Sequence, residues 1–338
     1  MLTVSVQSLR LLLRDAQRRG VDTAEALRQT GIDETQLSDP NARVSDAALR
    51  LLALHVLEQV DDPCWGLAVT ADVEPGTFGT LGYVFRNSET LADSYGRVVR
   101  FARLVNEAAR AELEVGSEHA RLTVRVADPA PLPRAAARLR AQMWLSILVR
   151  VGRKITGVDF QPTRVAFPYP TPEDLTRYRE LFDCELTFDA PDPMLELPVE
   201  ILKLPVVNPD RSLAGVMERY AQGLLEALPE HNEIALRVRQ ATCRAVEAGD
   251  PRLERVAREL AMSARSLQRK LQAENISFSA VLDEVRRELA LAYLDEPHLS
   301  VDQVASVLGF ASGSSFAKAF RRWTGSAPGT YRSEPRPG

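Results

Sequence analysis

Two phrases, PRLERVARELAMSARSLQRKLQ (residues 251–272) and LSVDQVASVLGFASGSSFAKAFRRWTG (residues 299–325), decide how the chain is read. In the first, Leu253, Val256, Ala257 and Leu260 fall at i, i+3, i+4 and i+7; in the second, Val301, Val304, Ala305 and Leu308 repeat the spacing 48 residues later. That spacing lines four apolar side chains along one helical stripe. Each stripe is followed by a short break and a second helix. Leu267 and Leu271 mark the inner face of one, Phe316 and Phe320 that of the other. The offset between these pairs is 49, so the second turn is one residue longer.

A short helix, a tight turn and a second helix with polar outer positions describe a helix-turn-helix, here in tandem. In the first copy Arg265, Gln268, Arg269 and Gln272 share one face, beside Ser266. Arg can grip guanine O6 and N7, and Gln adenine N6 and N7, each through two hydrogen bonds. In the second copy the outer places go to Gly313, Ser314, Ser315, Ala317 and Lys318, mostly short side chains that allow close approach to a groove. The base-reading set is therefore Arg265, Ser266, Gln268, Arg269, Gln272, Ser314, Ser315 and Lys318. Lys270, Arg321 and Arg322 suit phosphates. A charged face opposite an apolar stripe is usually just solvated. Two unrelated hairpins would rarely share stripe, turn and polar face in register, and the repeat favours DNA.

Between the motifs, Ser277 is placed to cap a helix with Leu282, Val285, Leu289 and Ala292 on one stripe, stopped at Asp295-Glu296-Pro297. Such a helix makes a rod of roughly 25 Å at 1.5 Å per residue. Successive major-groove faces lie roughly 34 Å apart, so one domain could present two helices to adjacent grooves, bending the duplex if needed. Ser300 and Gln303 have capping-box spacing and start the second motif.

Residues 251–332 resemble the DNA-binding domain of the AraC/XylS family of bacterial transcription regulators. The words that carry the resemblance are SLQRKLQ, FSAVLDEVRRELALAYL, and the long closing phrase with Trp323, Gly325, Pro328, Tyr331 and Arg332. The resemblance implies a sequence-specific transcription regulator, with promoter DNA as partner, and RNA polymerase too if it is an activator.

Composition bounds the alternatives. With 338 residues, 45% hydrophobic and 26% charged, the chain reads as an ordinary globular protein of two domains. Cys64, Cys184 and Cys243 are widely spaced, with no CxxC or Cys/His pattern, so neither a disulfide framework nor a metal site is expected. The first residues read as an amphipathic helix, not a signal peptide, and no apolar run is long enough for a membrane span; a cytoplasmic location is expected. Net charge is −4, yet residues 231–338 carry 16 Lys and Arg against 13 Asp and Glu. This modest asymmetry has the right sign and suits locally placed contacts better than a polycation.

The N-terminal part opens with helices. Ser8–Arg19, with Ser8 as cap, is one; Thr23–Thr30, with Thr23 as cap and Gly31 as stop, is another; Ser45–Val60 is a third. PGTFGTLGY (residues 75–83) is glycine-rich but is neither a phosphate loop nor a dinucleotide fingerprint, so its glycines read as turns or close packing. A helix follows Ser88-Glu89-Thr90-Leu91. Ala109–Val115 and Ala120–Val126 alternate as a hairpin around residues 116–119. Prolines 129, 131 and 133 mark a link to a helix over 134–155. Strands are expected within 162–169, 184–188 and 194–199, and a helix over 173–182. The last helix, Asn208–Leu228, has Leu213, Val216, Met217, Tyr220 and Leu224 on one face, and could join the domains, form a dimer seam or pack on its own domain.

Residues 20–205 resemble the ligand-sensing domain of the ornithine- and arginine-responsive branch of that family, through PGTFGTLGY, the Ser88–Leu91 helix start and the order of elements up to TRVAFPY. The expected fold is thus an α+β sensor of helices and a mixed sheet, then an all-α domain with two helix-turn-helix motifs joined by a linker helix. The expected division is residues 1–205, an interdomain helix over 206–230 that could dimerise, and 231–338, with motif one at 252–273, the linker at 278–294 and motif two at 300–323. Phe78, Tyr83, Arg86 and Trp144 are the candidates for a small-molecule effector: aromatic walls and one cation for an anionic group. Read singly, the aromatics would be core and Arg86 a surface charge. The four histidines, His55, His119, His231 and His298, are scattered, and there is no nucleophile elbow, no HExxH and no paired carboxylates with an obvious cleft, so no catalysis and no cofactor are expected. The rival reading is an enzyme or binding protein whose helical C-terminal domain merely packs.

Overall fold

The computed structural model describes residues 2–126, 133–228, 232–273, 276–296 and 299–333. The links expected at Pro129, Pro131, Pro229-Glu230 and Pro297, and the residues His231 and His298, lie outside the described residues. The chain forms two compact units, one of Thr3–Val126 with Ala135–Leu228, the other holding the C-terminal helices.

The first unit begins with β1 (Thr3–Ser5), α1 (Val6–Arg18), α2 (Thr23–Thr30), β2 (Arg43–Ser45) and α3 (Asp46–Val60). β1 and β2 pair antiparallel, and this pairing turns the chain into α1 at Ser5, whose hydroxyl accepts from the Gln7 N–H. Ser8, expected as the cap, therefore lies inside the helix. Asp22 rather than Thr23 caps α2, because Thr23 is buried and its hydroxyl accepts from Gln17. Gly31 ends α2 at φ 69°, a left-handed conformation that glycine adopts without strain. Leu9, Leu12, Leu27, Leu52 and Val56 form a helical sub-core closed by Trp65.

Next come α4 (Trp65–Ala68), a 3-10 turn at Pro75–Phe78, α5 (Thr80–Arg86) and α6 (Leu91–Val105). The glycines of PGTFGTLGY have distinct reasons. Gly79 sits at φ 53° between the turn and α5, and a Cβ on Gly82 would lie 1.6 Å from the Pro75 carbonyl oxygen. α5 packs against the turn only because position 82 has no side chain. Thr90 and Asp93 cap α6 reciprocally.

The sheet is built from β3 (Ala109–Val115), β4 (His119–Val126), β5 (Arg164–Ala166), β6 (Glu185–Thr187) and β7 (Met194–Pro198), in the order β3-β4-β7-β5-β6. Among the described residues only β5 and β6 run parallel, so the sheet is mixed. The helices α7 (Arg134–Thr156), α8 (Thr176–Phe182) and α9 (Val199–Leu202) complete this region. Leu122, Val165, Leu195 and Leu197 face a core shared with Leu91 and Tyr95 of α6 and Leu145, Leu148 and Val149 of α7. On the other face the register aligns Glu114, Arg121, Glu196, Arg164 and Glu185 in one row across all five strands, with alternating sign. Glu196, nearly buried at the centre, accepts from Arg121 at 2.6 Å and Arg164 at 3.1 Å. Cross-strand pairs of opposite charge favour this register over its neighbours.

The final helix of this unit, α10 (Arg211–Ala227), packs on its own domain. Ala214 and Ala221 are buried, and Met217, Leu224 and Leu225 rest with Leu81 and Val84 of α5 and Phe101 and Leu104 of α6. This corrects the expected face: Val216 and Tyr220 remain 49% and 46% exposed, because the small Ala214 and Ala221 set the closest approach.

The second unit holds α11 (Asn232–Glu247), α12 (Leu253–Glu259), α13 (Ala264–Ala273), α14 (Phe278–Leu294), α15 (Val301–Val307), α16 (Gly313–Thr324) and α17 (Pro328–Ser333). Ser277 caps α14, and Ser300 with Gln303 forms the capping box of α15. α14 is the hub. Val285 and Leu289 are fully buried, and Arg239 of α11 reaches Glu284 and Glu288 on it.

Candidate nucleic-acid interface

The two helix-turn-helix motifs share their pattern of bonding as well as their spacing. Val256 and Ala257 of α12 are buried, as are Val304 and Ala305 of α15, with Leu260 and Leu308 at the helix ends. The next residue turns left-handed in both: Ala261 at φ 55° and Gly309 at φ 71°. Met262 N–H then bonds to Ala257 O at 2.8 Å, and Phe310 N–H to Ala305 O at 3.0 Å. Ala261 holds a conformation that costs a non-glycine residue about 1 kcal/mol, whereas Gly309 adopts it freely. The extra residue of the second turn falls after this point. Ser263 and Ser312, 49 apart, then accept from the N–H groups of Ser266 and Ser315 at 3.1 and 3.2 Å.

α13 buries Leu267 and Leu271 and leaves Arg265, Gln268, Arg269, Lys270 and Gln272 exposed, with Ser266 half-buried. α16 buries Phe316 and Phe320 and exposes Ser314, Ser315, Lys318, Arg321 and Arg322. Two of these side chains are already engaged. Ser315 Oγ donates to Ser312 O at 2.7 Å and accepts from Ser312 N–H at 3.3 Å, so its hydroxyl closes a capping box. Arg322 pairs with Asp283 of α14 at 2.6 Å. Asp302 leans on the start of α16: a Cβ on Gly313 would lie 2.5 Å from its carboxylate.

Each residue of the closing phrase has its own place in the second motif. Trp323 packs on Phe310, and Gly325 ends α16 at φ 80°. Pro328 opens α17, where a missing N–H costs nothing. Tyr331 meets the edge of Phe320, and Arg332 donates to Leu294 O at the end of α14. Sequence reading missed Arg286. From α14 it donates to Leu308 O at 2.9 Å and Gly309 O at 3.2 Å, with its guanidinium 4.8 Å from the Phe310 ring centre.

The description "Arabinose-binding domain of AraC transcription regulator, N-term" matches residues 20–206, and "Helix-turn-helix domain" matches residues 256–334. The chain belongs to the AraC family of transcription regulators. Its curated relatives include the ornithine utilization regulator of Pseudomonas aeruginosa, 32% identical over 300 residues that cover 88% of this chain and 87% of that protein. The HTH-type transcriptional regulator VirS of Mycobacterium tuberculosis is 26% identical over 286 residues, covering 84% and 83%. Among solved structures, the transcriptional regulator CdpR from Pseudomonas aeruginosa aligns over 92% of this chain and 96% of that one, at 21% identity and a TM-score of 0.45.

As an AraC-family protein, the chain is a DNA-binding transcription regulator and not an enzyme; it couples an effector-binding N-terminal domain to tandem helix-turn-helix motifs. No helix of the described residues is long and apolar enough to cross a membrane.

In the N-terminal unit Phe78 and Trp144 are half-buried and pack against the main core, whereas Tyr83 and Arg86 of α5 are exposed. That core also holds a polar cluster with no signature in the spacing of its residues. Gln142 of α7 donates to Tyr178 Oη at 2.6 Å and to Pro63 O at 2.9 Å, and accepts from Gly66 N–H at 3.0 Å. Tyr169 and Tyr178 share a hydrogen bond of 3.1 Å, and burial raises the pKa of both. Such a network fixes one packing of α4, α7 and α8, since each buried polar group needs its partner.

Proposed function

We propose that α13 and α16 enter two successive major grooves of a promoter, that α13 supplies most of the base recognition, and that α16 acts mainly by close approach and phosphate contact. The observation that supports this reading is the asymmetry of the two exposed faces. Arg265, Gln268, Arg269 and Gln272 are long and exposed on α13, whereas α16 offers Ser314, Lys318 and Arg321 around a Ser315 already bonded to Ser312. Selection of duplexes from a random pool by the full-length chain tests it. Two conserved boxes about one helical turn apart are expected, the first more sharply defined. A single box, or two boxes on opposite sides of the duplex, would refute it.

For the effector, the reading is a small molecule bearing a carboxylate, with Arg86 as its cation and Phe78, Tyr83 and Trp144 as apolar contacts. The name of the Pseudomonas relative makes ornithine the first compound to titrate. Calorimetry on the wild type and Arg86→Ala, with ornithine, arginine and lysine, is the test; binding unchanged by the substitution would remove Arg86 from the site. The exposed apolar stripe of α10 supports a homodimer in which two copies bring their readers to one promoter. Recruitment of RNA polymerase belongs to the same reading if the protein activates, and is tested by transcription in vitro.

A further inference from the structure

We infer that Arg286 is a positioning residue: by clamping the turn of the second motif to α14, it fixes the angle between the two reading helices and hence the box spacing that the protein accepts. This rests on the two-groove reading above.

Three observations meet at this side chain. Its Nε and Nη2 reach two successive carbonyls, those of Leu308 and Gly309, at the end of α15. Those carbonyls have no partner further along the helix, and they carry its negative end, so a guanidinium is the fitting donor. The same guanidinium lies over Phe310, and Phe310 touches Phe316 and Trp323 of α16 at ring separations of 5.5 and 6.0 Å. A rotation of α16 about α14 would therefore have to break two hydrogen bonds and slide an aromatic contact. On the opposite side of the same stretch of α14, Glu284 and Glu288 hold Arg239 of α11, and α11 is tied to α12 through Arg244 and Glu259 at 2.5 Å. The orientation of motif one against motif two is thus relayed through α14, with Arg286 as its hydrogen-bonded tie to the turn of the second. The neighbouring Asp283–Arg322 pair is exposed on both sides and holds far less firmly.

Spacing is a sensitive readout. Each inserted base pair moves a box by about 3.4 Å and turns it by roughly 34° around the duplex axis. The experiment uses the full-length chain, a duplex it has selected from a random pool, derivatives with the second box moved by one to three base pairs either way, and a duplex with that box scrambled. Binding is read by fluorescence anisotropy. Wild type should show a sharp optimum. Arg286→Met should bind the optimal duplex about tenfold more weakly, respond to spacing within about threefold, and keep its affinity for the scrambled duplex. Arg286→Lys, which keeps the charge and at most one of the two bonds, should fall between them, and it supplies the same comparison if the Met variant does not fold. The inference is overturned if Arg286→Met keeps the sharp optimum, or if it loses equally on the scrambled duplex. Indifference of the wild type to the second box would instead refute the two-groove reading itself.

Discussion

Arg322 of α16 is paired with Asp283 of α14, whose Oδ2 lies 2.6 Å from its Nη2. Of the cations expected to meet the DNA backbone, this one must first exchange a partner. Both side chains are largely exposed, so the exchange is easy. Asp283→Asn should release Arg322, raise affinity for all duplexes alike by about two- to fivefold at low salt, and steepen the slope of log K against log salt by about 0.9. A salt titration with an unchanged slope would show that releasing Arg322 adds no phosphate contact.

Base reading and backbone contact separate by the pattern of loss. Arg265→Ala or Gln268→Ala should cost roughly 1–3 kcal/mol at one base position and relax preference there. Arg321→Ala should weaken all sequences alike and flatten the salt slope by about one. Competition against single-base variants of the selected duplex reads both effects. Retention of full preference after changing Arg265, Gln268 and Arg269 together would move the reading face elsewhere.

The glycines of residues 75–83 should differ sharply in tolerance. A methyl group at Gly82 would collide with the Pro75 backbone, whereas nothing lies within 4 Å of a Cβ at Gly76, whose φ is not positive. Gly82→Ala should destabilise the N-terminal unit by about 3 kcal/mol, with Gly76→Ala near neutral. Thermal melting of the two variants checks this; equal melting points would contradict the close packing of α5 on the turn.

Glu196 links the sheet to pH. Burial acts to raise its pKa, but the hydrogen bonds and charges of Arg121 and Arg164 outweigh burial and bring it below the ordinary 4.5. A carboxyl depressed in the folded state contributes stability that is complete above its unfolded value and is lost as pH falls through the folded one. The N-terminal unit should therefore weaken as pH drops below about 4.5. Glu196→Gln should remove part of that dependence and cost about 1–2 kcal/mol at neutral pH, less than a fully buried pair because Arg121 is half exposed. Denaturant unfolding of both proteins from pH 3 to 7 would reveal it; parallel curves would argue that Glu196 does not carry this pH dependence, and coincident curves that the row carries no stability.

The exposed stripe of α10 gives the dimer a direct test. Val216→Glu with Tyr220→Glu should leave the fold intact, since neither residue is in the core, and shift sedimentation from dimer to monomer. A wild-type chain that sediments as a monomer, or a doubly substituted chain that still dimerises, would exclude this seam.

What the sequence determined alone is whatever short-range periodicity controls. The paired stripes, the Ser300–Gln303 box, the hairpin alternation and the left-handed stop at Gly31 depend on residues within about one or two turns of each other. Their composition leaves few alternatives, and a repeat at 48 residues is visible without coordinates. The tertiary structure decided what depends on which distant residue arrives opposite. β1 pairing moved the cap of α1 from Ser8 to Ser5, and Ala214 with Ala221 turned α10 so that Val216 and Tyr220 face outward. Register across five strands assembled the charged row around Glu196. Arg286 gave no sign in the sequence, because an arginine on a helix looks the same whether it meets water or the carbonyls of a turn more than twenty residues away.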